Sequence, residues 1–185
     1  MQLTKPLIKL LITFIIFSSI NSQLQAQSES QTLDVIVGYS QSGIGVNVNY
    51  NSFIDRDKFI QTGLYFSSGN IKVDDIAVPY DTFTFNAGFF QDIFSSRVSS
   101  LKCGIGGGGL LGSEIVNKGE NELPNGIQLA DRSKIIYGAY LSAEVELYLS
   151  NDFSFIAKAN QYYHVNSDLG KLTPFFGGGL RYFIN

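Results

Sequence analysis

Two constellations in the 185-residue sequence have residue types and spacings that could do chemistry. Gly104, Gly106 and Gly109, in "CGIGGGGLLG" (103–112), fall at G-x-G-x-x-G spacing. That spacing cradles a dinucleotide when a buried strand precedes it and a helix N-terminus follows it. His164, the only histidine, stands near Asp168, and an acid beside a histidine can support general acid–base chemistry. Other reactive groups are scarce. A single His with a single Cys, Cys103, provides no metal constellation. The carboxylates Asp74, Asp75, Glu120 and Glu122 lack the spaced ligand set of a calcium loop, and nothing assembles a nucleophile, a base and an oxyanion hole. The residues therefore predict no enzyme, no cofactor and no small-molecule substrate.

What positions these residues is a set of strands. Eight segments alternate apolar or small residues with polar ones, and no stretch has a convincing helical period. They are "TLDVIVGYS" (32–40), "GIGVNVNYN" (43–51), "KFIQTGLYFS" (58–67), "TFTFNAGFFQ" (82–91), "SLKCGIGGGGL" (100–110), "IIYGAYLSAEVELYL" (135–149), "DFSFIAKANQYYH" (152–164) and "PFFGGGLRYFIN" (174–185). Each has about the 9–11 residues that a tilted strand needs to cross a bilayer. The glycine run thus lies inside the fifth strand, with no helix after it. Glycine in a strand bends the sheet and leaves room for large neighbours, so Tyr140 and Tyr148 of the next strand are expected over Gly104, Gly106 and Gly108. "GGG" at 177–179 repeats the device.

Ahead of the strands, residues 1–26 read as an export signal. Lys5 and Lys9 form its positive end, "LLITFIIFSSI" its apolar run, and "LQA" its cleavage site, between Ala26 and Gln27. The apolar run is shorter than the roughly 20 residues of a spanning helix, which disfavours a membrane anchor, and no cysteine stands at the site to take a lipid. Residues 27–185 then form one domain. Without the two leader lysines, the 13 basic residues fall to 11 against 16 acidic ones, a charge near −5. That balance argues against direct nucleic-acid binding.

Charged residues make up 16% of the chain, against about 25% in soluble domains. Few charges and many aromatics point to a non-aqueous neighbour. Connections alternate in length. "FIDRD", "DIFSSR" and "SND" are short, whereas "SGNIKVDDIAVPY", "SEIVNKGENELPNGIQLADRS" and "VNSDLGKL" are longer and lie at the opposite end, with the tight link at Gln41 and Ser42. Short inner turns and longer outer loops characterise outer-membrane barrels.

A soluble barrel would turn its apolar face inward, and a membrane barrel would turn it to lipid. Three features favour lipid. The polar face is poor in charge for a water-facing surface, and the apolar face carries none. Its aromatics gather in two girdles: Tyr39, Phe66, Phe83, Tyr137, Tyr163 and Phe176 at one end, Tyr50, Phe89, Phe153 and Tyr182 at the other. The expected fold is all-β: an eight-stranded antiparallel up-and-down transmembrane barrel of the outer-membrane type, with membrane lipid as its first partner. At the C-terminus, Gly179, Tyr182 and Ile184 have the G-x-x-aromatic-x-apolar arrangement of a barrel assembly signal, followed by Asn185.

An eight-stranded barrel is just wide enough for side chains to fill it. Lumen candidates are Asp34, Asn47, Asn49, Lys102, Glu144, Glu146, Lys158, Asn160 and Arg181. Among these, Lys102, Glu144, Glu146, Lys158 and Arg181 are expected to form a charge lattice that plugs the interior.

From Tyr80 to the end the chain resembles the TraO family of conjugative-transposon proteins known from Bacteroides and its relatives. The resemblance is carried by "YDTFTFNAGFF", "GIGGGGLLGSEIVNKG", "IIYGAYLSAEVELYLSNDFSFIAKANQYY" and "PFFGGGLRYF". "GSEIVNKG" is like the family's G-x-E-x-[IV]-N-[RK]-G. The matching positions are Gly112, Glu114, Asn117, Gly119, Tyr137, Gly138, Glu146, Leu149 and Ser150. The family's usual "DG" stands here as "NG", Asn125 and Gly126, and the first half matches only in general pattern. The resemblance implies a non-enzymatic part in a type IV secretion-like apparatus that passes DNA between cells, with other conjugal transfer proteins as partners. The long loop from Ser113 to Ser133 is the expected contact. The alternatives are a general structural or adhesion barrel of the outer membrane, a barrel enzyme dependent on His164, and a soluble secreted barrel.

Overall fold

The computed structural model describes residues 31–41, 43–73, 76–96, 100–116, 133–167 and 170–184. The leader with Ala26 and Gln27, Asp74 and Asp75, most of the long loop including Asn117 and Gly119, Asp168 and Asn185 lie outside the described residues. Eight strands follow in order: β1 (Gln31–Ser40), β2 (Gly43–Asp55), β3 (Lys58–Val73), β4 (Ile76–Ser96), β5 (Leu101–Val116), β6 (Ser133–Tyr148), β7 (Phe153–His164) and β8 (Leu172–Ile184). Each pairs antiparallel with its sequence neighbours, and β8 returns to β1, so the sheet closes with no free edge through the belt.

The registers show the tilt that closure requires. One hydrogen-bonded row runs Tyr182↔Leu33↔Tyr50↔Thr62↔Ala87↔Gly109↔Ala139↔Tyr163. It starts on an aromatic of the inner girdle and ends on one of the outer girdle, the stagger expected of strands inclined to the barrel axis.

The apolar face looks outward. Leu33, Val35, Val37 and Tyr39 of β1 are exposed, while Thr32, Asp34, Ile36 and Ser40 between them are buried. The same alternation holds on β7, where Ser154, Ile156, Lys158, Asn160, Tyr162 and His164 are buried. All ten girdle aromatics are exposed. A polar interior with an apolar exterior inverts the water-soluble pattern, and is what a strand crossing lipid must adopt.

Several strands run further than the sequence periodicity indicates, most of all β3, β4 and β5. β3 and β4 continue pairing to Val73↔Ile76, through a stretch expected as a loop. β5 runs on to Val116, so Ser113, Glu114 and Ile115, expected at the start of the long loop, belong to the ladder. β6 begins at Ser133 and outruns β7, whose pairing starts at Gly138↔His164. Periodicity misses these ends because above the lipid neither face need be consistently apolar. Asn166 covers the exposed β6 edge: its side chain accepts from Tyr137 N (3.3 Å) and donates to Ile135 O (2.6 Å). At the inner end, register shifts beside Ile54 and Ile93 mark bulges in β2 and β4, a usual device at barrel rims.

Candidate functional site

The lumen holds the chain's buried chemistry, in two layers. The inner layer centres on Arg181, which alternation on β8 points inward and which is buried. Its guanidinium grips Asp34 with two bonds (Nε–Oδ1 2.7 Å, Nη2–Oδ2 2.9 Å) and also reaches Glu146 (2.8 Å) and Glu144 (3.0 Å). A forked donor suits several carboxylates at once. Lys158 donates to Glu144 (3.0 Å) and to Gln61 (2.7 Å). Gln61 donates to Asn51 (2.7 Å), Asn51 donates to Asp34 (2.9 Å) and Thr32 (2.8 Å), and Ser154 donates to Glu146 (2.6 Å). Rings seal this network: Lys158 lies 4.5 Å from the Phe90 centroid and Arg181 5.6 Å from that of Phe59.

The expected lattice therefore forms from Glu144, Glu146, Lys158 and Arg181, with Asp34 as a full member. Lys102, expected in it, does not join directly. It pairs with Asp92 (3.3 Å) at the inner mouth and sits 5.5 Å from the Tyr148 ring, although it is the register partner of Glu146. Asp92 stands opposite Gly104, one inward-facing position along β5 from Lys102, and its carboxylate takes the ammonium. Sequence reasoning misses Asn51, Gln61, Ser154 and Asp92. Alternation places the first three on the inward face, and Asp92, expected in the short turn "DIFSSR", continues the inward parity of Asn86 and Phe90 because β4 runs on to Ser96.

The outer layer is aromatic and neutral. Tyr65 and Tyr162 stack with centroids 4.5 Å apart, Phe175 packs edge-on to Tyr65 (5.6 Å), and Tyr140 lies 5.8 Å from Tyr162. The Tyr162 hydroxyl accepts from Asn47 (3.0 Å) and Asn160 (2.8 Å), and Tyr65 bonds Ser40. The glycines make room for these rings. A Cβ on Gly88 would stand 2.6 Å from the Tyr140 hydroxyl, and one on Gly106 would enter the Phe90 ring. The spacing places Tyr148 over Gly104, but the structure does not. Tyr148 stacks on Phe183 (5.6 Å), and Gly104 instead faces Asp92 and Glu144.

No dinucleotide cradle exists, because Gly104, Gly106 and Gly109 lie within β5 and β5 continues to Val116. His164 ends β7, buried, with Nε2 unpartnered among the described residues, and its ring lies 6.2 Å from that of Tyr162. Among the described residues, no group of three His, Cys, Asp or Glu side chains could hold a metal.

The family-like positions have structural uses. Gly112 and Gly138 approach neighbouring strands so closely that a side chain would run into backbone. Glu114 is buried and accepts from Ser167 (2.5 Å), tying the β7–β8 connection over the outer mouth. Ser150 Oγ accepts from Phe153 N (3.1 Å), and Leu149 N donates to Phe153 O (3.1 Å), which together close the β6–β7 turn. Tyr137 sits in the outer girdle. Of the terminal signal residues, Tyr182 and Ile184 face outward, whereas Gly179 packs against β1 beside Ile36.

Residues 25–184 match the family described as conjugative transposon protein TraO. The chain belongs to the TraO family. The match takes in the first half as well, further than the sequence motifs reached. No curated protein sequence matches this TraO protein. Its fold is shared with outer-membrane barrels of solved structure. Neisserial surface protein A superposes with a TM-score of 0.58 at 14% identity, covering 83% of this chain and 95% of the other. The N-terminal barrel of Pseudomonas aeruginosa OprF gives 0.58 at 11%, covering 85% and 98%. Yersinia pestis Ail gives 0.52 at 12%, covering 84% and 97%.

Proposed function

We infer that this TraO protein is a non-enzymatic outer-membrane component of the apparatus by which a conjugative transposon passes DNA between cells. The carrying observation is the family match over residues 25–184 on a chain folded as a closed barrel with a lipid-facing belt. The barrel's chemistry supports a scaffold. Among the described residues, the charged groups Asp34, Glu144, Glu146, Lys158 and Arg181 pair with one another inside the lumen. Export through the leader ending at Ala26 brings the chain to the outer membrane, and the surfaces beyond the lipid contact other transfer proteins. With acidic residues in excess, the barrel works through protein partners and does not grip DNA itself.

Transfer frequency tests this reading, measured from a donor with an in-frame deletion of the gene beside the same donor complemented in trans. The expected result is a fall of several orders of magnitude, restored by complementation. Unchanged transfer, with the protein shown to be expressed in the parent, would sink the proposal.

A further inference from the structure

Every strand pair of the barrel except one joins neighbours in the chain, so the connection between them limits the register. The exception is the seam where β8 meets β1. Only the strands themselves can set the register there, and β8 is poorly equipped for it: Gly177, Gly178 and Gly179 fill its middle, opposite Gly38, Val37 and Ile36. Glycine-rich strands specify register weakly. A slip of one residue would turn the apolar face of β8 into the lumen, but a slip of two keeps every side chain on its own face. Sliding one way sets the outward Val35 and Val37 against Tyr182 and Leu180, and sliding the other way sets them against Gly178 and Phe176. The lipid-facing side accepts either slip. The inward face does not. In the observed register Asp34 is the partner of Arg181, and the guanidinium holds the carboxylate by bonds of 2.7 and 2.9 Å, with both side chains buried. A slip of two would set Arg181 opposite Ile36 or Thr32, and Asp34 opposite Phe183 or Gly179, parting two buried charges.

We propose that the Asp34–Arg181 pair selects the register in which the barrel closes. Separating a buried ion pair is strongly destabilising, and fixing register is the best-attested use of buried polar groups. A forked guanidinium on a carboxylate is also directional, so it discriminates between positions that apolar contacts treat alike. A second buried pair of register partners, Glu144 and Lys158, joins β6 to β7. There the turn that Ser150 closes on Phe153 already limits the register, so that pair adds strength without choosing. The choice at the seam matters to the whole lumen, because the stagger summed round the ring sets strand tilt and bore. A slip between β8 and β1 would resize the space that the inner lattice and the stacked tyrosines fill.

Disulfide mapping in outer membranes tests it, because a disulfide requires Cα atoms within about 7 Å and diagonal cross-strand neighbours stand roughly 7–8 Å apart. In a Cys103→Ser background, Val35→Cys is combined in turn with Leu180→Cys, its partner in the observed register, and with Tyr182→Cys or Gly178→Cys, its partners after a slip of two. Linked peptides are read by mass spectrometry after oxidation. With Asp34 intact, only the Leu180 position should link. Under Asp34→Asn that link is expected to fall and a slipped link to take its place, whereas Lys158→Met, which breaks the β6–β7 pair, should leave the parent pattern. If Asp34→Asn gives no fast-migrating unheated band, a disulfide between Val35→Cys and Leu180→Cys, made before refolding in detergent, should restore it. Three results would overturn the proposal: under Asp34→Asn, a native link that stays alone or vanishes without a slipped one; an equal slip under Lys158→Met; or a locked register that fails to bring back the barrel.

Discussion

The two layers of the lumen fill the same kind of space by opposite means. The inner layer holds Asp34, Glu144, Glu146, Lys158 and Arg181 within a continuous network of ion pairs and hydrogen bonds. The outer layer holds Tyr65, Tyr140, Tyr162 and Phe175 against one another, with neutral amides on the hydroxyls. Charge pairs cut off from water interact strongly but are intolerant: losing one partner leaves the others uncompensated. Stacked rings and neutral hydrogen bonds are weaker singly, and each loss stays local. The inner layer should therefore fail as a unit and the outer layer piece by piece.

The sharpest way to break this contrast is Arg181→Leu. It leaves Asp34, Glu144 and Glu146 with Lys158 as their one remaining network cation, and breaking a buried pair costs about 3–5 kcal/mol. The urea midpoint of the folded barrel should fall steeply, with loss of the fast-migrating unheated gel band. An unchanged midpoint would show that water reaches the layer. In the outer layer, Tyr162→Phe keeps the stack on Tyr65 and removes only an acceptor of two amide bonds. Two buried amide N–H groups lose their acceptor, so the expected loss is roughly 1–3 kcal/mol, read from the same denaturation curve with assembly intact. Smallest of all should be Lys102→Ala. Its ion pair with Asp92 lies near the mouth, with the two side chains 21% and 9% exposed, and partial access to water holds the expected loss to about 1 kcal/mol, the upper end for exposed pairs. Its effect should shrink further as salt is raised, whereas that of Arg181→Leu should not.

Much of this architecture is legible in the linear order of residues. The two-residue period in "IIYGAYLSAEVELYL" sorts Ile135 to Leu147 outward and Tyr140, Glu144 and Glu146 inward, because the pleat permits no other assignment. The girdle aromatics and the charge-free apolar face identify lipid as the neighbour. Less legible are the strand ends above the membrane. Lys72, Glu114 and Lys134 extend the ladders where apolar alternation lapses, and backbone pairing alone decides such positions. The lattice is half legible. Glu144, Lys158 and Arg181 follow from parity and adjacency, but the pairing of Lys102 with Asp92 depends on β4 running on past Gln91, where the apolar alternation gives out.

By itself the sequence determined the number of strands, the face each presents and the medium each face meets. Those properties depend on local period and on the transfer free energies of single side chains. The tertiary structure decided which side chains become neighbours inside the lumen. Arg181 and Asp34 lie 147 positions apart in the chain, yet share two hydrogen bonds. Their meeting depends on the closure of β8 onto β1 and on the stagger of every register between them, which is a property of the whole ring.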